Sequence, residues 1–191
     1  MIVLKLGGSL ANSGRLTACL AALAGSRGDV IVVPGGGVFA DAVRESQPRL
    51  GFSDRAAHHM ALLAMEQYAL VLVDRLPRLR PCRSLEEMRL AGQACDPAIW
   101  LPTTLALADP TIPQSWDVTA DSLAAWLARR LGAERLILVK SVAAPRPFDV
   151  DALAKSGLVD MAFPSFLAGA GLALDWIGPG EEELLAEWLA A

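Results

Sequence analysis

The chain has 191 residues, of which 53% are hydrophobic and 20% are charged, and its formal net charge is -4. This composition excludes intrinsic disorder, and the length is typical of a single domain, residues 1–191, whose core needs no disulfide or metal. With a pI near 5.2, the chain lacks the basic surface of a nucleic-acid-binding protein. We therefore expect a small-molecule partner and no nucleic acid.

The apolar content is high, with a mean hydropathy of +0.39. No apolar stretch approaches the roughly 18–20 residues of a membrane span, so we expect no membrane contact. We assign the high apolar content to a core or a subunit interface. The first ten residues also lack the apolar segment of a signal peptide. Three cysteines without CxxC spacing predict reduced thiols in a cytoplasmic protein and no metal-ligating residues.

The first part of the chain predicts two strands separated by a helix. Ile2–Leu6 and residues 30–33 are apolar runs that each end in glycines, which is typical of buried strands. Apolar residues at helical spacing over 16–23 predict the helix between them. Residues 39–46 and 54–68 predict two further amphipathic helices.

The remaining elements continue this alternation. Residues 69–73 predict a strand, whereas 75–89 have too few apolar residues for one and predict only a short helix from Ser84. Further strands are predicted over 99–101, 136–139, 158–163 and 173–177, and further helices over 123–131 and 181–190. Strands separated by helices predict an α/β fold with a mostly parallel sheet covered on both faces.

Two predicted strand-to-helix junctions are rich in glycine. Gly7-Gly8-Ser9 follows the first strand, and Gly35-Gly36-Gly37 follows the second. A helix N-terminus behind a glycine turn offers unpaired N–H groups to phosphate or carboxylate, although either glycine group alone could simply form a tight turn. Two such junctions in one sheet favour anion binding.

The second junction also fits the GxGxxA pattern of dinucleotide-binding proteins, through Gly35, Gly37 and Ala40. That pattern requires an acidic residue at the end of the next strand, and Asp54, at the right distance, does not end a predicted strand. A nicotinamide-dependent oxidoreductase is therefore the weaker hypothesis.

Lys5 lies inside an apolar strand, two residues before Gly7. A buried lone ammonium is costly, so Lys5 either bends out to solvent or has an anionic partner. The second alternative places its charge beside the anion that the glycine amides would face.

Three motifs together resemble the amino acid kinase superfamily: KLGGS at 5–9, PGGG at 34–37 and DVTADSLAAWLARRLGAERLILVKSV at 117–142. The resemblance implies one αβα sandwich with a mostly parallel sheet, and transfer of the γ-phosphoryl group of ATP, with Mg²⁺, to a carboxylate or phosphate oxygen. It also implies an acceptor half over about 1–115 and a nucleotide half over about 116–191.

The same resemblance implies roles for individual residues. Lys5 and Asp121 would be catalytic, with Asp121 orienting the lysines, although this aspartate could also cap a helix. Phosphate- or nucleotide-binding roles fall on Gly7, Gly8, Ser9, Lys140 and Ser141, and acceptor-binding roles fall on Gly35, Gly36 and Gly37.

One departure from the family concerns the second catalytic cation. Relatives carry a lysine after a glycine turn late in the chain, but residues 160–171 contain none. Lys140 or Lys155 could substitute, or the chain could be a binding-only relative.

The acceptor is predicted from weaker signals. Arg44 and Arg55 are candidate cations, and AHHMALLAMEQYA at 57–69, with Asp117 and Thr119, resembles the furan phosphate kinase branch, which makes a diphosphate precursor of methanofuran-type one-carbon carriers. This resemblance implies a phosphomonoester acceptor, [5-(aminomethyl)furan-3-yl]methyl phosphate, in place of an amino-acid carboxylate. Only one of the adjacent histidines, His58 and His59, can face a site, and surface or subunit-contact roles are the alternative.

Assembly is predicted from the 54–68 helix. Its residues Met60, Leu63 and Met65 spread widely around the helix, which predicts a homodimer or higher homo-oligomer.

Overall fold

The computed structural model describes residues 1–26, 29–147 and 149–190. The strands in these ranges are β1 (Ile2–Leu6), β2 (Val30–Pro34), β3 (Arg80–Cys82), β4 (Ala98–Trp100), β5 (Arg135–Val139) and β6 (Ala173–Ile177). The helices are α1 (Arg15–Ala24), α2 (Gly37–Leu50), α3 (Asp54–Arg75), α4 (Leu85–Gln93), α5 (Thr103–Ala108), α6 (Ala120–Leu131), α7 (Val150–Lys155), α8 (Phe163–Leu167) and α9 (Glu182–Ala190).

The six strands form one parallel sheet in the order β3-β4-β2-β1-β5-β6. β1 lies in the middle and pairs with β2 on one side and with β5 on the other. The chain therefore leaves β1 in one direction and β5 in the opposite direction. Such a reversal opens a crevice at the carboxyl edge of the sheet, where ligands bind in open α/β sheets.

Helices cover both faces of the sheet, as predicted. Successive residues of β1 point to opposite faces, so Val3 joins a core with α6 and α8 while Leu4 and Leu6 join a core with α1 and α9. The predicted αβα sandwich with a mostly parallel sheet is confirmed. Lys5 shares the face of Val3, and this alternation directs it towards α6.

The strand predicted over 69–73 is wrong, because α3 continues through these residues to Arg75. Ala69 and Leu72 are buried while Leu70 and Val71 are exposed, which is helical spacing. A short apolar run cannot be assigned to a strand or a helix from periodicity alone.

The length of α3 also corrects the expectation that no segment could span a membrane. By length and composition alone this 22-residue helix is long and apolar enough, with a mean hydropathy of 1.2 over its most apolar 18 residues. In the fold, however, it packs against α2 and the sheet, and 44% of that window is buried. Core helices of this kind pass the same test.

Two other segments differ from the prediction. Residues 158–162 form a loop that leads into α8, so the strand predicted over 158–163 is wrong. The 75–89 segment contains β3, an edge strand that tolerates Pro81 because an edge needs fewer backbone donors. The helix predicted from Ser84 is confirmed, and Ser84 and Glu87 form a capping box.

Arg15, the first residue of α1, connects several elements at the carboxyl edge. Its guanidinium donates to the carbonyl oxygens of Lys140, at 2.7 Å, and Gly178, at 2.6 Å, and pairs with Glu182 at the start of α9. One side chain thus links α1 and α9 to the ends of β5 and β6.

Candidate active site

The two glycine turns touch each other where β1 and β2 end. A Cβ atom on Gly8 would lie 2.3 Å from the Gly37 nitrogen, and one on Gly35 would lie 2.4 Å from the Gly8 nitrogen. Gly37 has a φ of +53°, which also favours glycine. No side chain can be added at Gly8 or Gly35 without separating the turns.

Asp121 holds two lysines beside these turns. Its Oδ1 lies 2.8 Å from Lys5 Nζ, and its Oδ2 accepts a 2.6 Å hydrogen bond from Lys140 Nζ. Lys5 comes from β1, Lys140 follows β5, and Asp121 lies in the first turn of α6. We call these three residues the charge centre. It contains two ammonium groups and one carboxylate, and therefore one excess positive charge.

Burial sets the protonation of the charge centre. Burial alone would raise the pKa of Asp121, but the charges of Lys5 and Lys140 and their hydrogen bonds lower it below its usual value. Burial, together with the nearby charge of Lys5, lowers the pKa of Lys140 to about 8, against the attraction of Asp121. Asp121 is therefore ionised at neutral pH, and Lys140 titrates just above it.

Asp160 anchors the N-terminus of α6. Its carboxylate accepts hydrogen bonds from the backbone N–H groups of Thr119 and Ser122, both at 2.9 Å, and from the Thr119 hydroxyl. Burial, and then the charge of Asp121, raise its pKa. Asp121 does not cap the helix, because its carboxylate binds the two lysines instead.

The charge centre and the glycine turns line a cleft of about 320 Å³. The cleft also contains predicted acceptor residues Arg44 and Thr119. A larger groove of about 880 Å³, bounded by α5, α6 and α8, contains no residue of the charge centre. We therefore assign the candidate active site to the smaller cleft.

Another part of the cleft wall is partly apolar. The Arg44 guanidinium lies over the ring of Trp116, 4.4 Å from its centroid, and Trp116 Nε1 donates a 2.6 Å hydrogen bond to Gln47. Buried His58 lines the same cleft, whereas His59 is exposed. This outcome agrees with the expectation that only one histidine faces a site.

Most predicted site residues lie together. The cleft is lined by Lys5, Gly8, Ser9, Gly35, Gly36, Gly37, Arg44, Thr119, Asp121 and Lys140. Lys155, the other candidate for the second cation, is exposed at the end of α7 and does not line the cleft.

Four predicted site residues do not line the cleft. The amide of Gly7 donates to the Val139 carbonyl, 3.0 Å away, so it joins β1 to β5 and is not free to bind phosphate. Ser141 is exposed at the rim, where it accepts a hydrogen bond from Ser9. Arg55 is exposed in the first turn of α3, and exposed Asp117 uses its carbonyl to accept from Ala162. Their contacts with ligand therefore stay predictions.

Sequence reasoning missed two residues of the cleft, Trp116 and Asp160, and did not decide between His58 and His59. Asp160 is 41 residues from Thr119, and no local pattern indicates their contact. The two adjacent histidines were a detectable signal, but periodicity did not show which face of α3 is buried.

Within the described ranges, no three His, Cys, Asp or Glu side chains are grouped so that they could hold a metal ion.

Comparisons with known proteins bear on the family and the fold. The [5-(aminomethyl)furan-3-yl]methyl phosphate kinase of Methanocaldococcus jannaschii is 26% identical over 144 residues, which is 74% of this chain and 66% of that protein. The match thus spans slightly less than two thirds of that relative's length.

Solved structures share the fold. Uridylate kinase from Archaeoglobus fulgidus superposes with a TM-score of 0.71 at 17% identity, covering 98% of this chain and 94% of that one. UMP kinase from Ureaplasma parvum superposes with a TM-score of 0.65 at 16% identity, covering 93% and 89%. The model of the amino acid kinase family matches residues 1–144, and the chain belongs to that family.

Proposed function

We propose that the protein is an ATP- and Mg²⁺-dependent kinase that phosphorylates a phosphomonoester to a diphosphate. The observation that carries this proposal is the charge centre, in which Asp121 positions Lys5 and Lys140 beside two touching glycine turns. Phosphoryl transfer requires mainly positioning and positive charge, which this cleft supplies.

In the proposed reaction, an oxygen of the acceptor phosphate attacks the γ-phosphorus of ATP. A new P–O bond forms to the acceptor, the bond between the γ-phosphorus and the β–γ bridging oxygen breaks, and ADP leaves with that electron pair. The ammonium groups of Lys5 and Lys140 offset the charge on the transferring group, and Asp121 holds both at a fixed separation. No protein nucleophile is needed.

The cleft suits a magnesium nucleotide. Mg²⁺ is usually held by substrate phosphates and water with few protein carboxylates, which fits a cleft without a group of three ligating side chains in the described ranges. When bound, Mg²⁺ neutralises phosphate charge. Because Gly8 carries no Cβ, the Gly37 backbone can approach it, and the two glycine turns lie together where their N–H groups can face a phosphate.

The first candidate acceptor is [5-(aminomethyl)furan-3-yl]methyl phosphate, the substrate in the name of the archaeal relative. The cleft supports a phosphorylated ring compound, since Gly35, Gly36 and Arg44 can receive an anion while Leu62 and Trp116 offer apolar surface. A carboxylate could also pair with Arg44, so a kinase that acts on an amino-acid carboxylate is the alternative.

A binding-only relative is the other alternative, motivated by the absent late lysine. The position of Lys140, 2.6 Å from Asp121, supports retained turnover because it gives the cleft a second cation from a different part of the chain.

An ADP-release assay tests the proposal. The wild-type protein would be given Mg-ATP with each of five acceptors: the furan phosphate, isopentenyl phosphate, uridylate, acetylglutamate and aspartate. We expect the highest kcat/KM with the furan phosphate. Preferential turnover of either amino acid would contradict a phosphomonoester acceptor, and nucleotide binding without ADP release from any acceptor would favour the binding-only relative.

We further propose a cytoplasmic homodimer or higher homo-oligomer. Cys19, Cys82 and Cys95 are all free thiols, which suits a reducing compartment. The exposed apolar side chains of α3 support assembly.

A further inference from the structure

His58 has one ring nitrogen without a partner. The residue is 3% exposed in the wall of the candidate active-site cleft. Its Nδ1 lies 3.4 Å from the carbonyl oxygen of Ser115, whereas buried Nε2 has no hydrogen-bond partner among the described residues. A buried polar atom without a partner costs about 1–3 kcal/mol, so such an atom in a binding cleft indicates a missing ligand group.

The contact with Ser115 assigns the proton of the imidazole. A carbonyl oxygen can only accept, so Nδ1 carries the hydrogen. Burial lowers the pKa of His58 and keeps the ring neutral. Nε2 therefore presents a lone pair, and the missing group is a hydrogen-bond donor.

The carboxylates of the cleft already have partners. Asp121 binds the two lysines, Asp160 caps α6, and Asp41 pairs with Arg44 at 3.9 Å. The residues next to His58 along the cleft-lining side of α3, Ala61, Leu62 and Met65, are apolar. Asp121 Oδ1 also lacks a hydrogen bond that meets the geometric criteria, but it lies 2.8 Å from the Lys5 ammonium. His58 Nε2 is thus a buried acceptor with neither a hydrogen bond nor an ion pair among the described residues, beside an apolar surface of the cleft.

We propose that His58 selects acceptor substrates that carry an amine, by accepting a hydrogen bond from that amine at Nε2. This inference rests on the proposed function, in which the phosphate of the acceptor binds at the glycine turns. An acceptor with a phosphate on one side of a small ring and an amine on the other would then reach both the glycine turns and His58, which line the same cleft. The aminomethyl group in the name of the archaeal relative's substrate fits this chemistry.

The test compares two ligands that differ only at the amine. Calorimetry measures binding of [5-(aminomethyl)furan-3-yl]methyl phosphate and of its 5-methyl analogue to the wild-type protein, to His58→Phe and to the matched control His59→Phe. Wild type and His59→Phe should bind the amine about 10- to 100-fold more tightly than the methyl compound, the range of one hydrogen bond to a charged group. His58→Phe should bind the two compounds with similar affinity.

His58→Gln distinguishes a hydrogen-bonding role of His58 from a purely structural one. Its amide oxygen can replace the acceptor, so a partial return of the amine preference is expected, while circular dichroism checks that each variant is folded. The inference is overturned if wild type does not prefer the amine or binds neither compound, or if His58→Phe keeps the preference. The proposed function fails separately, when no phosphomonoester supports ADP release despite measurable binding.

Discussion

At the scale of single residues, Asp121 fixes where the ammonium groups of Lys5 and Lys140 lie in the cleft. A carboxylate that is 4% exposed and bound to two ammonium groups cannot reorient without breaking both contacts. Lys5 is predictable from sequence, because an ammonium in an apolar strand requires an anion. The role of Lys140 is only partly predictable, since its contact with Asp121 depends on where β5 lies in the sheet.

Lys5→Ala and Asp121→Asn should each lower kcat by more than about tenfold, because both disturb charge that stabilises the transition state. Steady-state ADP release measures the effect, with circular dichroism confirming a folded sheet. Lys155→Ala is the matched control, since Lys155 is exposed at the end of α7. Wild-type turnover in folded Lys5→Ala would contradict the assignment.

The lowered pKa of Lys140 predicts an alkaline limit to activity. Its ammonium is charged below pH 8 and loses its proton as the pH rises through the pKa of about 8. We therefore expect kcat/KM to fall above that pH, approaching tenfold per unit.

The profile would be measured from about pH 6 to 10, and Lys140→Arg would serve as the comparison because a guanidinium stays charged throughout. The kcat/KM of Lys140→Arg should not fall near pH 8, even if its maximal value is lower than that of the wild type. A wild-type profile that stays flat to about pH 9.5 would be inconsistent with a catalytic role for Lys140.

At the scale of elements, α6 depends on a cap from far along the chain. Asp160→Ala should lower the free energy of unfolding by about 1–2 kcal/mol through loss of the cap, and should also lower kcat because Asp121 lies in the same first turn. Denaturant unfolding and ADP release measure the two effects.

Asp149→Ala is the matched control, because Asp149 caps α7 and does not line the cleft. It should lose stability without losing kcat. Equal kcat losses in both variants would show that general destabilisation, and not the placement of Asp121, explains the Asp160 result.

α3 presents an unpartnered apolar stripe formed by Met60, Leu63, Leu70 and Val71, each at least 40% exposed. These residues lie within one face of about 100°, which favours contact with a second copy. Leu63→Glu should convert the oligomer to a monomer near 20.2 kDa by light scattering. Leu90→Glu, at an exposed leucine of α4, should leave the assembly unchanged. Wild type that is already monomeric would refute the predicted assembly.

Strands and helices can be predicted where the periodic apolar pattern is long. The prediction fails where the pattern covers only a few residues. The helical spacing over 123–131 predicts α6, which ends at Gly132. Residues 69–73, in contrast, are five apolar residues that suit either a strand or the last turns of α3. β3 was missed because an edge strand needs little apolar sequence.

At the scale of the whole molecule, the αβα architecture was predictable because strands alternated with helices and every residue of β2 was apolar. The composition of the cleft was less predictable. It depends on contacts between residues far apart in sequence, such as Lys5 with Asp121 and Thr119 with Asp160. Motif order indicated the first contact, and nothing local indicated the second.

Contact between the two glycine turns should be required for nucleotide binding. ADP should raise the melting temperature of the wild type by several degrees, because a ligand that binds only the folded state stabilises it. Gly8→Ala should abolish this increase, since the added Cβ would separate the turns. Gly14→Ala, where an added Cβ meets no atom within 4 Å, should retain it. An unchanged increase in Gly8→Ala would argue against phosphate binding at these turns.

The hydrogen bonds and ion pair of Arg15 connect α9 to the candidate active site. The same guanidinium binds Glu182, at the start of α9, and the backbone carbonyl of Lys140. Weakening the Arg15–Glu182 pair would therefore loosen the main chain that carries a candidate catalytic lysine, even though α9 contributes no side chain to the cleft. A substitution at Glu182 thus offers a way to tune turnover from a residue that does not line the cleft.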